Sequence, residues 1–192
     1  MNTKQQSIAR LRLQQLLSPS LPVGAFSYSQ GLEWVIEAGW VTNKTDFSIW
    51  LNELIQGVLS WQELPLLARL YDASLCQDKI LLDQWSQYSV ACRDTYELRQ
   101  EERDRGAALL RVLNRLAVPV CDIMSHYLTR SQLAGFAWAA SHWSINKTDL
   151  LLAYSYSYLE TQVNAGVKLI PLGQSDAQRL CFDLSPALEQ AV

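Results

Sequence analysis

Apolar residues recur along this chain with helical spacing, and hardly any stretch alternates as a half-buried strand would. The clearest pattern lies at 45–59, just after Asn43, a residue type that favours the N-cap of a helix. Its apolar positions follow the i, i+3, i+4, i+7 spacing of a one-sided stripe: Phe47, Trp50, Leu51, Leu54, Val58 and Leu59. The pattern predicts an amphipathic helix that buries this stripe.

Proline and glycine divide the rest of the N-terminal half into further predicted helices. A short first helix around Leu11 is stopped by Pro19, and a second begins near Leu32 and ends at Gly39 in a left-handed cap. Pro65 suits the first turn of another helix, because a helix makes no use of the backbone N–H at that position. The backbone properties of proline and glycine therefore account for each of these predicted helix ends and starts.

The long helical pattern from 79 to 116 contains a hidden break. Asp94 followed by Glu97 is typical of an N-cap residue with an acidic residue at N3. A new helix therefore begins near this point, and we predict two helices, at 79–92 and 95–116.

The second half predicts a helix at 133–143 and a longer one at 149–169. Asn146 or Thr148 supplies the N-cap of the longer helix. Tyrosine and serine alternate at 154–158, which alone would indicate a strand. The cap and the long helical run outweigh these five residues.

Length and composition fit one domain. The chain has 192 residues, of which 49% are hydrophobic and 18% charged, enough for one sizeable core. No repeat, low-complexity tract or linker divides it. We predict an all-α fold, a single-domain helical bundle of about eight to ten helices over 1–192.

Charge narrows the classes of partner. The formal net charge is -3 and the pI is about 5.4, with no face-long run of Lys or Arg. This excludes the basic footprint of a nucleic-acid or anionic-membrane binder. The N-terminus lacks a signal-peptide pattern, and no window approaches the roughly 18–20 apolar residues of a spanning helix. We therefore expect a soluble, cytoplasmic protein.

No metal, cofactor or catalytic set emerges from the residue types. The two histidines, His126 and His142, and the four widely spaced cysteines form no ligand pattern, and we expect the cysteines to be small buried groups. No phosphate-binding Gly-Lys loop exists, and Ser27 and Ser29 lie in no G-x-S-x-G elbow. We predict a non-enzyme without metal or cofactor.

Three stretches remain unexplained by helix patterning alone. SPSLPVGAFSYSQGLEW carries four large side chains on proline and glycine corners, Leu21, Val23, Phe26 and Tyr28. Gly24 is expected in a sharp turn, and Gly31 at a close approach or helix start. ELRQEERDRGAALL is either a solvated, salt-bridged face, or a docking face or an arginine presented to a partner's nucleotide. AGVKLIPLGQSDAQRL contains Lys168, either a snorkelling surface lysine or a placed charge beside an interface.

These three stretches, in this order, resemble the UreF family of urease accessory proteins. The resemblance implies an all-helical assembly factor that acts as a homodimer and joins a UreD-type protein (also called UreH) to the nickel-carrying GTPase UreG on apo-urease. It also implies that the protein regulates GTP-dependent nickel delivery. A metallochaperone that binds nickel directly is the alternative, which the low histidine count disfavours.

The resemblance, together with the loop and charge patterns, defines a set of candidate partner-binding residues. The apolar loop is expected to be a preshaped contact surface. The candidates are Pro22, Gly24, Phe26, Ser27, Tyr28, Ser29, Gln30, Gly31 and Glu33 in the first stretch, Arg99, Glu102 and Arg103 in the second, and Lys168, Pro171, Gln174, Asp176 and Gln178 in the third.

Overall fold

The computed structural model describes residues 3–24 and 31–192. These residues form α-helices and one π-helical segment, with no strand among them, which confirms the all-α prediction. The elements are α1 (Thr3–Leu16), α2 (Leu32–Glu37), α3 (Lys44–Leu54), the π segment (Ile55–Glu63), α4 (Leu64–Leu75), α5 (Lys79–Ala91), α6 (Tyr96–Arg115), α7 (Asp122–Leu128), α8 (Gln132–His142), α9 (Lys147–Leu169) and α10 (Gln174–Ala191).

The predicted amphipathic helix is confirmed, and it is the first part of a longer rod. The Asn43 side chain accepts hydrogen bonds from the backbone N–H groups of Thr45 and Asp46 at 2.8 and 3.1 Å. From there α3, the π segment and α4 follow one another without a turn. Pro65 does lie in the first turn of α4, as predicted, but the chain continues through it in the same direction.

The π segment changes which side chains face the core. Val58, expected in the buried stripe, is 39% exposed, whereas Ile55, Leu59 and Glu63 are buried. A π-helix pairs each carbonyl with the N–H five residues later, so each turn holds more residues than a turn of an α-helix. Side chains on the same face are therefore farther apart in sequence. The wider turn therefore places the carboxylate of Glu63 inside the protein.

Helix α9 begins two residues earlier than predicted, with Asn146 and not Thr148 as its N-cap, and occupies the predicted central position. The Asn146 side chain accepts from the Thr148 N–H at 2.7 Å, and Leu150 is completely buried. The tyrosine and serine alternation is helical, as expected. Three contacts show that α9 lies antiparallel to the rod: Gly166 against Phe47, Tyr154 against Glu63, and Lys147 against Asp72.

The predicted break between α5 and α6 is present, but its cap is different. Thr95, not Asp94, is the N-cap residue of α6, and its hydroxyl accepts from the Leu98 N–H at 3.2 Å. A threonine hydroxyl caps a helix in the same way as an aspartate carboxylate does. Thr95 is the cap here because it lies three residues before Leu98, from whose N–H it accepts. α5 begins at the predicted residue and ends one residue early, and α6 is one residue shorter than predicted at each end.

The remaining helices close the core around the rod. α8 packs against α4 and α6, and α10 packs against α9 and the π segment. The expectation that the cysteines are buried is wrong for three of them: Cys76 and Cys121 are exposed, Cys92 is partly exposed, and Cys181 alone is buried. The exposed ones lie at or next to helix ends, where the chain leaves the core.

Gly24 is expected to be intolerant of a β-branched residue. Its φ is 77°, in the left-handed region, as the turn after Pro22 predicted, and apart from its chain neighbours no described residue has an atom within 4 Å of an added Cβ. Gly24→Val should therefore lower the free energy of unfolding by about 1–3 kcal/mol through backbone strain alone. Thermal unfolding followed by circular dichroism would measure it. A Gly24→Val protein as stable as the parent would show that the turn rearranges without cost.

Candidate functional site

The first stretch is described only in part. Phe26, Ser27, Tyr28, Ser29 and Gln30 lie outside the described residues. Leu21 and Val23 are 8% and 6% exposed and belong to the core, so these two side chains anchor the loop and do not form the expected contact surface. Pro22 is exposed and Gly24 is partly exposed.

The end of this stretch leads into α2. Gly31 has a φ of 95° and is the N-cap residue of α2, so it serves the helix start that was one of its two predicted roles. Glu33 follows in the first turn and is exposed. An acidic side chain is favourable there, because it faces the positive end of the helix dipole.

The second stretch is divided between surface and interior. Arg103 is exposed, as a docking or solvated face would require. Arg99 is partly buried and donates to the backbone carbonyl of Arg93 at 2.7 Å. Glu102 is only 5% exposed, so its predicted role as a surface contact is not supported, and its carboxylate is used inside the protein.

A buried ionic network joins the rod, α6, α8 and α9. The Arg93 guanidinium donates through Nη1 to Oε1 of Glu63 and through Nη2 to Oε2 of Glu102, the latter at 2.8 Å. The Tyr154 hydroxyl donates to the other Glu63 oxygen at 2.7 Å. A single arginine, located between α5 and α6, thus pairs with carboxylates from two different helical segments.

Glu102 also holds the start of α8. Its Oε1 accepts from the Ser131 hydroxyl and from the Gln132 backbone N–H, both at 2.9 Å. The first N–H groups of a helix have no partner within the helix, so a buried carboxylate both satisfies them and stabilises the helix dipole. Glu102 is therefore a packing residue that stabilises the contact between α6 and the start of α8.

The pKa values in the network follow from burial and charge. Burial disfavours the ionised form of Glu63, but the Arg93 guanidinium and the Tyr154 hydroxyl outweigh burial, so the pKa of Glu63 is lowered. Burial, reinforced by the Glu63 carboxylate, raises the pKa of Tyr154 well above its usual value. Glu63 therefore stays ionised and Tyr154 stays a neutral donor near neutral pH.

A glycine in the second stretch permits close packing of α6. A Cβ on Gly106 would lie 2.8 Å from the Thr129 carbonyl oxygen, and 3.0 Å from the Leu128 carbonyl oxygen and the Ser131 nitrogen. These are backbone atoms of the α7–α8 connection and cannot rotate away. Gly106 is thus required where α6 meets this connection.

The third stretch turns the chain from α9 into α10 and exposes most of its polar residues. We call this surface the α9–α10 corner, and its exposed predicted residues are Lys168, Pro171, Gln174, Asp176 and Gln178. Asp176 forms an ion pair with Lys44 of α3 at 2.5 Å. The structure therefore brings all five residues to one short surface segment.

The corner rests on tightly packed helices. A Cβ on Gly166 would lie 2.4 Å from the ring of Phe47, which is completely buried. Only glycine lets α9 approach α3 this closely. Ile170 and Leu172 alternate with the exposed residues and are buried, so both sides of the corner are held by the core.

Sequence reasoning missed the ionic network. Glu63 continues the buried positions Ile55 and Leu59 at a spacing of four, which is the signal that could have placed its carboxylate in the core. Arg93 gave no comparable signal, because an arginine between two helices is ordinarily exposed. Its burial depends on contacts with the rod that are distant in sequence.

The residues at 3–24 and 31–192 offer neither a metal cluster nor a membrane span. Within these ranges no three His, Cys, Asp or Glu residues are grouped so as to hold a metal ion. His126 lies beside Arg130, with 2.6 Å between Nε2 and Nη2. None of the helices in the same ranges is long and apolar enough to cross a membrane.

Comparison with known proteins agrees with the motif resemblance. The UreF family model matches residues 41–185. The urease accessory protein UreF of Pseudomonas putida (strain W619) is 48% identical over 181 residues, covering 94% of this chain and 81% of the relative. UreF of Alcanivorax borkumensis is 48% identical with the same coverage, and UreF of Citrobacter koseri is 48% identical over 91% of this chain and 78% of the relative.

Proposed function

The chain belongs to the UreF family of urease accessory proteins, and we propose that it bridges a UreD-type (UreH-type) accessory protein and a UreG-type GTPase on apo-urease. In this role it regulates GTP-dependent nickel delivery during urease maturation. It acts by binding and positioning other proteins, in the cytoplasm, and catalyses no reaction itself.

The observation that carries this proposal is the α9–α10 corner. Lys168, Gln174 and Asp176 are exposed polar side chains on a turn whose backbone is held by Ile170 and Leu172. A surface that is already ordered loses less conformational entropy on binding than a mobile loop does. The corner therefore suits specific protein recognition.

Exposed aromatic residues support the proposal that the protein acts as a homodimer. Trp34 and Trp40 are 57% and 66% exposed and contact each other edge to face with 5.0 Å between ring centroids. Large aromatic side chains are enriched in interfaces relative to other protein surfaces. Sedimentation of the isolated chain at micromolar concentration should show two copies, and a monomer would contradict this part of the proposal.

Bridging is tested by co-purification of the three proteins. An affinity-tagged UreD-type protein should retain the UreG-type GTPase when this chain is present and lose it when this chain is omitted. Retention of the GTPase without this chain, or failure of this chain to bind either protein, would overturn the proposal.

Lys168 is expected to act in activation and not in folding. Lys168→Ala should change the free energy of unfolding by no more than about 0.5 kcal/mol, because the residue is exposed. Urease activation in cells that depend on this protein should nevertheless fall. Lys79→Ala, another exposed lysine located on α5, is the matched control and should activate urease normally. If the Lys168→Ala protein unfolds readily, or if it activates urease as well as the parent does, the proposed role of Lys168 in activation is wrong.

A further inference from the structure

A groove runs along the π segment, and the residues that line it do not include those of the α9–α10 corner. Its wider part has a volume of about 950 Å³ and is lined by the aromatic side chains of Trp61, Trp85 and Tyr88. Its narrower part has a volume of about 220 Å³, and six of its twelve lining residues are charged. The two parts share Val58, Gln62 and Cys92 in their walls, so they adjoin.

Two aromatic side chains that line the wide part are largely exposed to solvent and do not contribute to the core. Trp61 is 83% exposed and Tyr88 is 54% exposed. Trp85 is held in place by Tyr88, with ring centroids 5.9 Å apart, and by the Arg69 guanidinium, 5.2 Å from its ring centroid. Exposed aromatic side chains beside a concave surface are typical of the anchors of protein interfaces.

The narrow part has an excess of negative charge. Four carboxylates line it, those of Glu63, Asp94, Glu101 and Glu102, against the guanidinium groups of Arg93 and Arg105. Glu63 and Glu102 are satisfied by the buried network, whereas Asp94 is exposed and Glu101 has only Arg105, at 3.1 Å, as an ion-pair partner among the described residues.

Two groups of the narrow part are incompletely satisfied, the carboxylate of Glu101 and the Nε–H of Arg105. Burial raises the pKa of the Glu101 carboxyl, and Arg105 offsets this only in part, so an additional cation would stabilise the carboxylate. The Nε of Arg105 is buried without a hydrogen-bond partner among the described residues. A buried donor of this kind is stabilised by an incoming acceptor, such as a backbone carbonyl.

We propose that this groove binds a segment of a partner protein that carries an apolar side chain for the aromatic part and a lysine or arginine for the acidic part. A polypeptide supplies all three requirements: an apolar anchor, a cation and a carbonyl acceptor. A nucleic acid is disfavoured, because the narrow part is acidic. The inference rests on the proposed function only for the choice of the proteins tested.

A defined peptide tests the groove without those proteins. The probe is a fluorescently labelled amphipathic peptide of leucine and lysine, compared with its leucine and glutamate counterpart. The basic peptide should bind at least about tenfold more tightly than the acidic one. Trp61→Ala should weaken binding of the basic peptide about tenfold or more, and Asp94→Lys should weaken it several-fold.

The variants are chosen to leave the fold intact. Trp61 and Asp94 are both exposed, and circular dichroism should show parental helicity for each. Phe182→Ala removes an exposed aromatic side chain of α10 that lies outside the groove, and it should bind the peptide as the parent does. Equal binding of the two peptides, or full binding by Trp61→Ala, would overturn the inference.

The same variants are then titrated with the UreD-type protein and the UreG-type GTPase separately. Trp61→Ala should weaken binding of one of them about tenfold, whereas Phe182→Ala should not. Failure of the parent chain to bind either protein would contradict the proposed function, and the peptide experiment would still decide about the groove. A parental dimer that Trp61→Ala converts to monomer, with both titrations unchanged, would identify a second copy as the occupant and overturn the inference.

Discussion

Replacement of Arg93 by alanine should lower the free energy of unfolding by about 3–5 kcal/mol. The substitution removes the cation that pairs with both Glu63 and Glu102, whose side chains are 4% and 6% exposed. Removal of one member of a buried ion pair is strongly destabilising, because the remaining charge is left without compensation. Urea denaturation followed by circular dichroism measures the change.

Arg103→Ala is the matched control for this experiment. Arg103 lies on α6 near Glu102, but it is exposed, so its loss should change the free energy of unfolding by no more than about 0.5 kcal/mol. If Arg93→Ala is no less stable than Arg103→Ala, the network contributes nothing to the fold and the account of Glu102 as a packing residue is wrong.

The pH dependence of Glu63 has a definite sign. The pKa of Glu63 is lowered in the folded protein from an ordinary value of 4.5. Its contribution to stability is therefore complete above the unfolded-state pKa and is lost as the pH falls through the lower folded-state pKa. The stability difference between the parent and Glu63→Gln should be constant near neutral pH and shrink below about pH 4.5. Acid-dependent urea titrations of both proteins would show it.

Gly106→Val should lower the free energy of unfolding by at least about 3 kcal/mol. The first side-chain carbon would lie 2.8 Å from the Thr129 carbonyl oxygen, and the surrounding atoms are backbone that must move as a unit. Overpacking of this kind commonly costs about 1–3 kcal/mol, and a β-branched side chain adds two methyl groups to the clash. The stability gained from higher helix propensity, below about 1 kcal/mol, cannot offset it.

Gly57→Val is the control with the same chemical change. Gly57 lies in the π segment, and apart from its own helix backbone no described residue has an atom within 4 Å of an added Cβ. We expect its free energy of unfolding to stay within about 0.5 kcal/mol of the parent value. Equal effects of the two substitutions would show that backbone propensity, and not the contact with the α7–α8 connection, determines the cost at Gly106.

Local sequence signals were sufficient to place several of the helices and some of their ends. Asn43 and Asn146 cap the helices that the sequence predicted them to cap, and Gly39 ends α2 with a φ of 75°. These features depend on residues within one turn of each other, so the sequence contains the information directly. The position of Thr95 in place of Asp94 shows the usual uncertainty of one residue.

Features that depend on distant contacts were not predictable in this way. Leu21 and Val23 were expected to face a partner, yet they pack into the core that the other helices provide. Glu102 was expected on the surface, yet it lies beneath Arg93 and the start of α8. In each case the burial of a side chain is decided by the arrangement of helices and not by neighbours in sequence.

The three stretches that resemble the UreF family therefore combine packing and recognition. Gly106 and Gly166 allow close helix contacts, and Glu102 stabilises the interior. Lys168 and Asp176 remain on the surface and are proposed to contact partners. A family motif identifies the protein, but only the structure separates its packing residues from those available for binding.

Nickel-dependent activation of purified apo-urease tests the central claim most directly. Apo-urease is incubated with the UreD-type protein, the UreG-type GTPase, nickel and GTP, with and without this chain, and urease activity is measured. We predict that activity appears only when this chain is present, and that it is lost when GTP is replaced by a non-hydrolysable analogue. Equal urease activity with and without this chain would contradict the claim that it bridges the two proteins in urease maturation.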